Sequence, residues 1–166
     1  MSPKLCCKWH YLDASAIVKL YADEAGSSAL HRFRNANTNF CTTPICLAEA
    51  LCAFSKKRTH EEMSVEQYFS AVCRLLTDAW GKRIEIDDIA YVNAVVQAEV
   101  ETTAKKHSLD ISDALLLVTI LKGPRSNAEL GSRSVLITAN RNLAIAAGSE
   151  DVRVWNCIDG SMPSWD

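Results

Sequence analysis

No stretch of this 166-residue chain is apolar for long enough to cross a bilayer. The longest such run, ALLLVTIL at 114–121, falls far short of the roughly 20 residues that a spanning helix needs. The opening MSPKLCCKWH lacks the apolar core and cleavage site of a secretory leader. None of the seven cysteines falls in a CxxC pair. Adjacent Cys6 and Cys7 suit neither a mutual disulfide nor a tetrahedral zinc clip. Cys46, Cys52 and Cys73 lie in apolar helical segments and read as small core residues. These absences predict a reduced, cytoplasmic protein with no membrane association. Internal repeats and low-complexity tracts are missing too. A composition 48% hydrophobic and 23% charged excludes disorder, collagen and coiled coil. The net charge of −2 decides nothing about nucleic acid, because only a local basic patch would serve that purpose.

What is present is a succession of short apolar runs separated by segments with helical spacing. A strand near 9–12 feeds a helix over about 14–21, and a second helix runs through SSALHRFRN. NFCTT reads as a short strand, and Pro44 suits the first turn of a helix reaching about Arg58. Ser64 with Gln67 resembles a capping box, and the helix it opens ends at Gly81. RIEI alternates as a strand does, after which Asp87 or Asp88 is expected to cap a long helix to about His107. Asp110 opens DISDALLLVTILKG, closed by Gly123 and Pro124. GPRSNAELGSRS is expected to be a surface loop. The strand SVLIT, a helix over about 140–147, the strand VRVWN and a loose tail GSMPSWD complete the chain.

Strands separated by helices predict an α/β fold with a mainly parallel sheet of four or five strands. One domain is expected over 1–166, with its core at about 9–156 and a short C-terminal tail at 157–166. In such folds ligands bind beyond the carboxyl ends of the strands. Asp13 and Ser15 follow the first strand, while Thr138 and Asn140 follow VLIT. If those two strands are neighbours, both pairs share one cleft.

Three carboxylates occupy positions where burial is expected to penalise them. Asp13 ends its strand, Glu49 is the only charge in ICLAEALCAF, and Asp113 stands in the first helical turn before ALLLV. An unpaired buried carboxylate needs a proton, a cation or hydrogen-bond donors. A divalent ion supplies the cation, and carboxylate oxygen is the ligand that magnesium and manganese prefer. Each position also has a plainer reading. Asp13 alone reads as a helix cap, Asp113 as the acidic third residue after a cap at Asp110, and Glu49 as the ion-pair partner of Lys19 or Arg141.

The segments YLDASAIVKLYADE, TTPICLAEALCAF, LDISDALLLV and LITANRNLAIAA, in that order, resemble a PIN domain of the VapC toxin type. The resemblance spans about Trp9 to Asn156. It implies a three-layer α/β/α sandwich that holds Mg2+ or Mn2+ in a cluster of acids and cleaves RNA. It also implies a cognate antitoxin as partner and a homodimer. On this resemblance Asp13, Glu49 and Asp113 are the metal ligands, and Ser15 and Thr138 are hydroxyls that orient them. Asn140 stands where the family's T-x-D pattern carries a fourth acid. An amide offers a carbonyl oxygen without charge, so Asn140 completes a weaker or transient site, and one ion or two is left open.

The expected function is a divalent-metal-dependent endoribonuclease, the toxin of a type II toxin–antitoxin pair. Asp13, Glu49, Asp113 and Asn140 form its catalytic set. Lys56, Lys57, Arg58 and Arg141 are the leading candidates to grip RNA phosphates, with Arg32, Arg34, Lys105 and Lys106 behind them. The alternative is a catalytically weak PIN-like module that binds RNA or a partner protein. A phosphatase with Asp13 as nucleophile ranks last, because Ser15 stands where a second Asp is usual.

Overall fold

His10, Tyr11 and Leu12 form β1 (His10–Leu12), and all three are buried. A strand without a solvent-facing side belongs in a sheet covered on both faces, as parallel sheets are. The structure, a computed structural model, describes residues 9–125, 127–128 and 132–164. After β1 the chain forms α1 (Ala14–Tyr21), α2 (Ser27–Ala36), β2 (Phe40–Thr42), α3 (Pro44–Thr59), α4 (Val65–Trp80) and β3 (Ile84–Ile86). It continues through α5 (Ala94–His107), α6 (Ile111–Lys122), β4 (Asn127–Ala128), β5 (Ser132–Arg133), β6 (Val135–Thr138), α7 (Arg141–Ser149) and β7 (Arg153–Asn156). Five strands make one all-parallel sheet in the order β3-β2-β1-β6-β7. The helices flank it in a three-layer α/β/α sandwich. No described helix is long and apolar enough to cross a membrane.

Local chemistry sets the helix starts. Pro44 occupies the first turn of α3 behind a Thr43 cap, and Ser64 with Gln67 closes a reciprocal capping box on α4. Asp110 caps α6 by accepting from the backbone of Asp113. The sheet core is built from Leu12, Ile17, Leu20, Leu116, Leu136 and Trp155, each at most 2% exposed. Burying a side chain of this size stabilises by ~1.5–3 kcal/mol. A smaller cluster, centred on Val100, Leu115 and Val118, joins α5 to α6.

Several expectations are corrected. Neither Asp87 nor Asp88 caps α5; Asn93 does, accepting from Val95 N at 2.9 Å. The Asp87 amide instead donates to the Thr42 carbonyl at 2.8 Å, continuing the β2–β3 ladder. Its buried carboxylate accepts from the Tyr11 hydroxyl at 2.6 Å and lies 3.3 Å from Arg125. Ala90, at φ 57°, then bars a helix from starting earlier. Cys52 and Cys73 are exposed rather than core residues. The buried stripe of α3 is Cys46, Ala50 and Phe54, and Cys52, two residues past Ala50, falls on the opposite face. Within the expected surface loop, β4 and β5 pair as an antiparallel hairpin. The tail is tied at its start, where Trp155 Nε1 donates to the Gly160 carbonyl at 3.0 Å. Cys6 and Cys7 lie outside the described residues.

Gly26 is a position where only glycine fits. Its φ is +90°, and a Cβ there would stand 2.5 Å from the backbone oxygen of Cys157. Gly26→Ala therefore combines left-handed strain with a backbone clash. It is expected to destabilise the protein by ~1–3 kcal/mol in chemical denaturation, and an unchanged midpoint would contradict that geometry.

Candidate active site

The strand order reverses at β1. The connections through β2 and β3 run to one side, and the chain then returns to place β6 and β7 on the other. The crevice beyond the carboxyl ends of β1 and β6 is thus the switch point at which open α/β sheets bind ligands. Leu12 pairs with Ile137, and the Asp13 amide extends the ladder by donating to the Ile137 carbonyl at 3.2 Å. Register alone therefore brings Asp13 beside Thr138.

Asp13 is buried, with 3% exposure, and also caps α1. Its Oδ1 accepts from Ala16 N at 2.7 Å, and its Oδ2 accepts from Thr138 Oγ1 at 2.6 Å. Ser15 Oγ lies 2.8 Å from both oxygens. The two hydroxyls are themselves oriented by backbone. Ala139 N donates to Ser15 Oγ and Asn140 N to Thr138 Oγ1, each at 2.8 Å. A hydroxyl carries one proton, so each is left to point its own at Asp13. Burial pushes the Asp13 carboxyl above its ordinary range, the donors from Thr138, Ala16 and Ser15 pull it back, and the charge of Glu49 adds to the rise.

Asp113 approaches from the first turn of α6. Its Oδ2 accepts from Asn140 Nδ2 at 2.7 Å, while Asp110 Oδ1 holds its backbone amide at 2.8 Å. Burial pushes the Asp113 carboxyl up to about 7, helped by the charges of Asp110, Asp13 and Glu49 and opposed by the Asn140 hydrogen bond. Asp113 therefore holds a proton close to neutral pH.

Glu49 is exposed, not buried as expected. It sits one residue from Ala50 and so about 100° round α3 from the middle of the buried stripe. Its charge still reaches Asp13 and Asp113. Lys19 does not neutralise it, being paired with Glu24 at 3.0 Å. Among the described residues no Lys, Arg or His forms an ion pair with Asp13, Glu49, Asp110 or Asp113. Four oxygen-donor acids without a cationic side chain have the donor chemistry that suits a hard divalent cation. Among the described residues, however, no three His, Cys, Asp or Glu side chains converge into a ready-made ion-binding group.

The structure thus joins Asp13, Ser15, Asp113, Thr138 and Asn140 in one hydrogen-bonded set, with Glu49 coupled to it by charge. It does not join the basic candidates to that set. Lys56, Lys57 and Arg58 end α3, roughly 10–14 Å along its axis from Glu49. Lys57 pairs with Glu24 at 2.5 Å and Glu62 at 3.1 Å, and Arg58 lies over the Tyr68 ring at 4.8 Å. Arg34, Lys105 and Lys106 pair with Asp78, Glu101 and Glu150. Arg141 is exposed on the residue after Asn140. The backbone amides of Ala139 and Asn140, which orient the two hydroxyls, have no sequence signal at all.

Fold and site together define a parallel α/β sandwich with an acidic crevice at its switch point. No protein-family model and no curated protein matches the sequence. Among solved structures the chain is similar to PAE2754 from Pyrobaculum aerophilum, known from a crystal structure. The TM-score is 0.60 at 15% identity, over 92% of this chain and 85% of that one. At that identity the likeness shows the shared fold alone.

Proposed function

We propose that the protein is a divalent-metal-dependent endoribonuclease, the toxin of a type II toxin–antitoxin pair, acting in the cytoplasm. One observation carries the reading. Asp13 is a buried carboxylate supplied only with neutral donors, and it faces further acids where open α/β sheets bind ligands. The three donors offset part of the cost of that burial, and a proton or a cation would offset the rest. The resemblance of the sequence to PIN domains supports the same reading.

Asp13, Glu49 and Asp113 would hold Mg2+ or Mn2+. Such an ion, when bound, lowers the pKa of an attacking water and stabilises charge on the departing oxygen of a phosphodiester. Ser15 and Thr138 keep the Asp13 carboxylate in one orientation, so it enters the reaction pre-organised. Asp113 gives up its proton when it becomes a ligand, so ion binding weakens as pH falls through about 7. Arg141, exposed and next in sequence to Asn140, is the basic candidate that would meet a phosphate near the acids, while Lys56 and Arg58 would reach RNA only farther along the strand. Uncompensated acids repel RNA, so ion binding and substrate binding are coupled.

A second reading is a module that binds RNA or a partner protein without effective cleavage. The lack of convergence among the described acid side chains favours it. Incubating the purified chain with single-stranded RNA in manganese, magnesium or chelator separates the two. The nuclease would cleave only with a divalent ion and, as the PIN resemblance implies, leave 5′-phosphate and 3′-hydroxyl ends. RNA retained but uncut at saturating manganese would establish the binding module instead.

A further inference from the structure

Asn140 is committed at both ends of its amide. As the cap of α7, its Oδ1 accepts from Asn142 N at 3.0 Å and Leu143 N at 3.3 Å. Its Nδ2 donates to Asp113 Oδ2 at 2.7 Å. The two ends are not interchangeable. Turning the amide over would set an NH2 against two helix N–H groups and an oxygen against a carboxylate. The atom able to ligate a cation thus points into its own helix, and a donor is aimed at the acid.

We propose that Asn140 is a positioning residue that holds Asp113 through this hydrogen bond, and that the acidic crevice takes a single divalent ion. The inference rests on the metal-dependent reading above.

Asp13 leads to the same count. A carboxylate has about four lone-pair sites. Ala16 N, Thr138 Oγ1 and the one proton of Ser15 Oγ claim three of them. The remaining site serves one ion and cannot bridge two, so a second ion would have to draw its oxygens from Asp113 and residue 140. Asn140 contributes no oxygen toward a second, and its N–H would face any cation placed between it and Asp113.

Counting bound manganese by paramagnetic resonance tests this, with melting in chelator measured alongside. The full chain would be compared with Asn140→Ser and Asn140→Asp. Both replacements keep a side-chain oxygen for the cap of α7, since Asn, Asp and Ser cap about equally well. Serine is too short to donate to Asp113. Asn140→Ser is expected to keep one ion per chain, bind it ~10–100-fold more weakly, and melt in chelator lower only by what the single lost hydrogen bond contributes. Asn140→Asp replaces the donor by a carboxylate and is expected to bind two. Two ions on the wild type, undiminished affinity in Asn140→Ser, or a single ion on Asn140→Asp would each overturn the proposal. No ion on any chain is a different result, and it would take down the metal-dependent reading itself.

Discussion

Glu49→Gln is expected to cut metal-dependent RNA cleavage by ~100-fold or more while leaving stability within about 0.5 kcal/mol of wild type. The contrast makes the substitution informative. Glu49 is exposed and anchors no hydrogen bond or ion pair among the described residues, so its loss should be silent in any fold-related measurement. Its charge is nonetheless felt at Asp13 and Asp113. Cleavage and urea midpoints of the two chains, measured in parallel, check the expectation. Undiminished cleavage would remove Glu49 from the ligand set. Asp13→Asn is a poorer test, because an amide NH2 would confront the donors of Ala16, Ser15 and Thr138, and lost activity would be confounded with lost stability.

Asp113 gives the second large effect. Its carboxyl is raised from 3.8 to about 7. A carboxyl raised on folding stabilises the native state fully below its unfolded pKa, and that contribution is lost as pH rises through the folded value. In chelator, the wild type should therefore lose a few kcal/mol relative to Asp113→Asn between about pH 4 and pH 7, with no further divergence above. A shift of this size moves the melting temperature by on the order of 5–10 °C. His31, whose pKa burial lowers, titrates in the same window with opposite sign but cancels in the comparison. Manganese should restore the wild type at pH 7 and above, by about 2.7 kcal/mol at a hundredfold excess over its dissociation constant. Parallel melting curves at every pH would show that Asp113 does not carry the raised titration.

The sheet was legible because its strands are uniformly apolar and its helices open on recognisable caps. HYL and VLIT, each followed at once by polar groups, put Asp13 and Thr138 at strand ends, and the pairing of β1 with β6 then brings the two together. What sequence could not supply was direction round a helix. ICLAEALCAF looks apolar on every side, so Glu49 and Cys52 were both expected inward, although only the face through Cys46, Ala50 and Phe54 packs. Asp87 misled for the opposite reason. An acid before a helix reads as a cap, and nothing local announces that Tyr11 and Arg125, 76 and 38 residues away, will claim it. Asn140 was legible as a departure from an acid, but the way its amide faces depends on two backbone N–H groups that become neighbours only once α7 has formed.

Asp13 is at once the acid of the crevice and the cap that starts α1. The two duties would age differently in evolution. A lineage that abandoned the proposed cleavage would still need an oxygen to begin its first helix, whereas Glu49 would be free to drift once that cleavage was no longer selected. Silent descendants should therefore keep the residue that looks most essential and lose the one that looks most ordinary. In surveying relatives of this chain, an intact Asp13 would say little about activity, and an intact Glu49 a good deal.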